Sequence, residues 1–261
     1  LSNYCNACLW DRDTYAMEKQ KFPNAFELMT GNFDRHSNSY YQWRIAKIQP
    51  QIDKGSKDPL LFDDLAVAYS KLGDDKKAIA LMKQKEKFAP NLYETYANLG
   101  TFYIHDGQFE EGLIYINKAI KINPDAHFGR EIYQKYLVEF ILLNKKNKSE
   151  TNNFYSFLTK KYNTKNNLKD TFLPEIENEK AVKGVLGMMR FGNYNSPILL
   201  KALGDLLLAD SYDTPSAKRL ATMAYMASDI YSIGSVSIKT KENAQMYLSM
   251  QERDKNTYEE L

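Results

Sequence analysis

Leu99-Gly100-Thr101-Phe102-Tyr103 and, thirty-four residues earlier, Leu65-Ala66-Val67-Ala68-Tyr69 decide the fold. The same offset links Phe62 to Tyr96, Gly73 to Gly107, Ala78 to Gly112, Phe88 to Ile122 and Pro90 to Pro124. Paired positions of matching character at one period indicate stacked supersecondary units, each too small to bury its apolar face alone. Phe62, Leu65 and Tyr69 recur at helical spacing and share one face. Ala66 and Gly100 are small where a second helix must approach. Gly73 and Gly107 fall just past the first helix, where a left-handed residue ends it at little cost. Asp74-Asp75 and Gln108 open the second helix, with carboxylates suited to its dipole. Ala78, Met82 and Phe88, then Gly112, Ile116, Ala119 and Ile122, give it an inner stripe. Pro90 and Pro124 stop each unit, since proline cannot continue a helix.

The pattern resembles the tetratricopeptide repeat, W-x₂-L-G-x₂-Y, A-x₃-F, P. Phe62 and Tyr96 stand at the Trp position. Lys85 departs from the family's preferred Ala, which Ala119 supplies in the second unit. Gly112 keeps the close approach but weakens its own helix. The resemblance implies an all-α fold, a right-handed superhelical stack of antiparallel helix pairs (an α-solenoid), with best repeats at 59–92 and 93–126. It also implies a non-catalytic scaffold that holds a protein or peptide partner on its concave face. By the family's groove pattern the lining is Asp63, Val67, Ser70, Lys71, Ala97, Asn98, Thr101, Ile104 and His105. Chaperone-binding members clamp a terminal carboxylate with Lys, Asn and Arg. The matching positions here are Asp63, Val67, Asn98, Phe128 and Ile132; only Asn98 fits, so chaperone-tail binding is not expected.

The rest of the chain is divergent. Residues 37–143 form the repeat region. Within it Ser37 or Ser39 caps a helix over Tyr40–Ile48, and Phe128, Ile132, Tyr133, Tyr136, Leu137, Phe140 and Ile141 make one more helical stripe. Residues 144–173 read as an excursion. From Asn144 to Asp170 there are seven Lys and seven Asn, with Glu150 and Asp170 as the acids; a basic binding patch is the alternative. The C-terminal part, 174–261, begins with a helix over 176–191. A turn with Ser196 as N-cap and Pro197 at N1 follows. A degenerate pair at about 196–231 then carries Leu203-Gly204-x₂-Leu207 and Ala217-x₃-Ala221-x₂-Ala224. A polar end helix is expected over Thr240–Asp254. Residues 1–36 match no helical period and are expected to wrap the end of the stack.

The whole-chain figures agree with that class. The 261 residues are 43% hydrophobic and 26% charged, with net charge +2. That near-neutral charge argues against a dedicated nucleic-acid binder, which would carry a strongly basic face. Gly 12 and Pro 8 exclude collagen, a disordered linker and a turn-rich barrel. No stretch has the roughly 18–20 consecutive apolar residues of a membrane span. The expected state is a monomer or weak homodimer. The chain starts at Leu1, and a cleaved export signal (periplasmic or secreted protein) and a truncated cytoplasmic chain both explain that.

Two motifs near the start carry the competing reading. Cys5 and Cys8 are spaced C-x-x-C. They read as a local disulfide or free thiols, with metal or redox roles as alternatives, because His36, His105 and His127 stand at no ligand spacing and no βαβ pattern follows. Asp11-Arg-Asp13-Thr14 has the D-x-D-x-T form of haloacid-dehalogenase-like phosphatases. That chemistry needs the end of a buried parallel strand, and about ten residues precede the motif here. No P-loop, G-x-S-x-G, H-E-x-x-H or G-x-G-x-x-G occurs. No cofactor, metal or catalytic residue is expected.

Overall fold

A computed structural model of the chain describes residues 11–12, 23–147, 153–209 and 215–232. Among these residues there are eleven α-helices and no strand. The first is α1 (Ala25–Thr30), followed by α2 (Asn38–Asp53). The two repeats are α3 (Pro59–Lys71) with α4 (Asp75–Phe88), and α5 (Tyr93–His105) with α6 (Phe109–Ile122). A 3₁₀ turn (Ala126–Gly129) leads into α7 (Arg130–Asn147). Then come α8 (Phe154–Asn166), α9 (Glu175–Phe191), α10 (Pro197–Ala209) and α11 (Pro215–Tyr231).

The start and stop signals act where the sequence puts them. Ser37 is the cap of α2, accepting from the Tyr40 N–H. Asp58 caps α3, Pro59 takes its first turn, and Asp74 caps α4. Gly73 and Gly107 adopt φ of +85° and +81°, the left-handed region that terminates each first helix. Gly100 and Gly112 face each other across the α5–α6 hairpin. A Cβ on Gly100 would stand 2.5 Å from Ile116 Cδ1, and one on Gly112 would stand 2.6 Å from Ile104 Cγ1. Only hydrogen leaves room at that crossing.

Helices pack on their chain neighbours from α2 through α7, and α10 packs on α11. The third unit is broken. α7 takes its main partner from beyond α8, packing against α9 rather than a helix that directly follows it. Gly184 and Gly187 permit this contact, lying against Tyr133 and Arg130 at distances no Cβ would tolerate. α8 lies within the Lys/Asn-rich excursion, yet its Phe154, Phe157 and Leu158 are buried against α7 and α10.

One correction concerns the N-terminal segment. The segment before residue 37 is not without helix: Asn24 and Glu27 form a capping box, each side chain bonding the other's backbone N–H, and start α1. This helix packs on α9 and α11. The core gathers into two clusters. One joins Ile48 and Ile52 to the first-repeat residues Phe62, Leu65 and Met82 and reaches Leu99 and Phe102. The other joins Leu28 and Met29 to Ile104, Ile116, Leu137, Val185, Leu203 and Ala224. Each fully buried Leu or Phe contributes about 1.5–3 kcal/mol. The second cluster therefore holds elements from both ends of the chain together.

Candidate functional site

The nine positions assigned to the groove lie together on α3 and α5, but they are not an open lining. Eight are buried, and Lys71 is half-buried. Asp63 is 2% exposed and accepts two bonds from Lys85 Nζ, at 2.7 and 2.8 Å, and one from Asn98 Nδ2 at 3.3 Å. Burial pushes its carboxyl up to about 7, while Lys85 and Asn98 oppose the shift. Val67 and Ala97 are core residues. Thr101 accepts from Gln134 Nε2 of α7 at 3.1 Å. Ile104 is fully buried in the second cluster.

Ser70, Lys71 and His105 carry the remaining polar atoms. Lys71 Nζ donates to the carbonyls of Phe191 and Gly192, both at 2.8 Å. Those carbonyls end α9, where a helix leaves its acceptors without internal donors. A lysine 120 residues distant supplies them. Desolvation draws the Lys71 ammonium down to about 8, with Asp11 pulling the other way. Around the same turn Arg35 lies 4.5 Å over the Tyr194 ring, Phe33 meets Tyr194 edge-on, and Gly31 sits against it. Lys71 is thus engaged by the chain's own α9–α10 turn, while the other positions are buried by the packing of α3 and α5 on their neighbours.

Ser70, His105 and Asp75 invite comparison with a nucleophilic triad, and the geometry rejects it. A triad places the Ser hydroxyl on one imidazole nitrogen and the carboxylate on the other. Here Ser70 Oγ lies 3.2 Å and Asp75 Oδ1 lies 3.4 Å from the same Nδ1, and Ser70 donates directly to Asp75 at 2.5 Å. These contacts tie α3 and α4 of the first repeat to α5 of the second.

The N-terminal motif divides. Asp11 is buried and ion-paired with Arg44 Nη1 of α2 at 2.6 Å. Arg12 bonds Asp64 of α3 through Nε at 2.6 Å. Asp13, Thr14, Cys5, Cys8 and Thr240–Asp254 lie outside the described residues, as do the side chains of His127 and Phe128. Among the described residues no three His, Cys, Asp or Glu side chains gather as metal ligands.

Sequence reading missed the partnership of Asp63 with Lys85. The departure from Ala at 85 was its signal, because a lysine on a buried stripe requires a carboxylate within reach. It also missed the Gly184-x₂-Gly187 spacing that seats α9 on α7.

The tetratricopeptide-repeat family model matches residues 93–126, the α5–α6 hairpin and the proline-ended turn after it. The chain contains a tetratricopeptide repeat. No curated protein matches the chain. The all-helical architecture of paired neighbours is that of a tetratricopeptide-like helical stack. Tetratricopeptide repeats serve in general as protein-interaction modules, and no described helix is long and apolar enough to cross a membrane.

Proposed function

We propose that this chain is a non-catalytic interaction scaffold that holds a protein or peptide partner on its helical stack. The observation that carries this reading is the tetratricopeptide repeat at 93–126, stacked on helix pairs of the same build. Such stacks present extended surfaces to segments of other proteins. The partner lies along the faces of α3 and α5 that carry Asp63, Val67, Ser70, Lys71, Ala97, Asn98, Thr101, Ile104 and His105, and withdrawal of the α9–α10 turn frees the Lys71 end of that surface. The working unit is a monomer or weak homodimer, which light scattering checks.

The test is capture by the immobilised chain from its native source, with bound proteins cross-linked and mapped. Lys71→Met, which cannot hold the Phe191 and Gly192 carbonyls, is run beside the wild type. A partner at constant stoichiometry, cross-linked to α3 and α5 and recovered more strongly with Lys71→Met, supports the reading. Equal recovery by the two proteins removes the concave face. Failure of both to retain any partner sinks the scaffold itself.

A further inference from the structure

One open cleft lies away from the concave positions, where α7, α8 and the start of α9 leave a gap of about 520 Å³. That is within the range of ligand-sized sites, about 300–1,000 Å³. Its polar lining is rich in donors. Tyr133, Tyr136 and Tyr162 border it, and none of their hydroxyls bonds to protein among the described residues. Lys161, Lys165 and Lys180 border it too. Lys161 meets Glu139 at 2.7 Å and Lys180 meets Glu177 at 2.8 Å, whereas Lys165 has no carboxylate among the described residues. Asp125 and Glu177 are the acids of the lining and Glu139 balances Lys161 at its edge, so Lys165 and the three phenols are the donors left for a ligand. The floor is apolar, from Leu158 and Leu173. Beside it Phe172 is 62% exposed and Ile176, one turn before Lys180 on α9, is 57% exposed.

The geometry points to this cleft as a docking surface for an acidic peptide segment with an apolar anchor. Lys165 and the three phenols offer donors to a carboxylate, and the remaining ammonium hydrogens of Lys161 and Lys180 flank them. The apolar floor takes an aliphatic or aromatic side chain. Phe172 and Ile176 extend the greasy surface past the mouth, which suits a chain segment better than an isolated small acid. Being open, the site needs no withdrawal of the α9–α10 turn. It rests on the scaffold reading and names the chemistry of a partner.

The probe is a short fluorescein-labelled peptide with a Leu-Phe pair flanked by glutamates, titrated with the full chain and followed by polarisation. Binding is expected to weaken about tenfold with Lys165→Glu, a loss equivalent to about 1.4 kcal/mol. It should weaken similarly with Lys180→Glu and fade as salt rises. Lys47→Glu, an exposed charge change on α2, should leave it unaltered. Several results would overturn the proposal. These are no binding, equal binding of a peptide with lysines for glutamates, equal binding with Leu-Phe replaced by glycines, or an equal loss with Lys47→Glu. Benzoate competing as strongly as the peptide would also overturn it in favour of a small-acid pocket. If the peptide fails while Lys165→Glu still captures the wild-type partner, the cleft falls and the scaffold stands.

Discussion

The two repeats fill one architectural slot in opposite ways. Asp63 and Ala97 are equivalent positions, as are Lys85 and Ala119, each pair thirty-four residues apart. In the first repeat the slot holds a buried ion pair, with Lys85 1% exposed and Asp63 2% exposed. In the second it holds two buried methyl groups. At the helix crossing the second repeat has Gly100 and Gly112 where the first has Ala66 and Ala78. The contrast teaches that the period fixes backbone geometry and leaves the chemistry of the slot free. A charge pair and a small pair both fit, but half of one joined to half of the other does not.

The largest effect should come from mixing the two solutions. Lys85→Ala leaves the Asp63 carboxylate buried without its cation, and breaking such a pair costs about 3–5 kcal/mol. Asp63→Ala together with Lys85→Ala copies the second repeat and should cost less than Lys85→Ala alone. Urea melts of Lys85→Ala, Asp63→Ala and the double variant measure this; additive losses would mean the pair is not coupled. Next, Gly100→Ala forces a methyl against Ile116 and should cost about 1–3 kcal/mol. Ala66→Gly in the first repeat creates no such clash and should cost about 1 kcal/mol through helix propensity.

The third test concerns pH. The folded chain holds Lys71 at about 8 against its ordinary 10.5. Between those values the unfolded chain binds the proton and the folded chain does not, so raising pH through this window stabilises the fold. A gain of about 1–2 kcal/mol is expected, less than the full shift implies because the residue is half-buried. Melts at pH 7.5 and 10 should show it, and Lys71→Met should abolish that part of the slope. The smallest effect is that of Thr101→Val, which removes the acceptor of Gln134 Nε2 and should cost about 1 kcal/mol. Chemical denaturation against wild type measures it.

The local rules were legible wherever a residue acts within its own unit. Gly73, Gly107, Asp58, Asp74 and Ser37 each do what their position in the chain requires. The α10–α11 pair, written in Leu203-Gly204 and Ala221-x₂-Ala224, forms on the same terms, with Gly204 against the Tyr225 ring. What the period could not carry were contacts between distant segments. No spacing links Lys71 to Phe191, or Leu28 to Ala224, because such contacts depend on where whole helices come to rest. The groove positions were read from within their own units, and the carbonyls that Lys71 holds arrive from over a hundred residues away. The excursion similarly hid Phe154 and Phe157 among lysines and asparagines.

Arrays of this kind ordinarily fray, shedding terminal units while the middle stays folded, because each repeat touches only its neighbours. Lys71 changes that. By holding the last carbonyls of α9 it joins the first repeat to a helix two units away, and α1 closes the circuit from the other end. Among the described helices that ring of contacts leaves no end unit from which to peel. Unfolding should therefore be concerted, with amide exchange in α3 and α9 slowing or quickening together, and deletion of the last two helices should be felt in the first repeat.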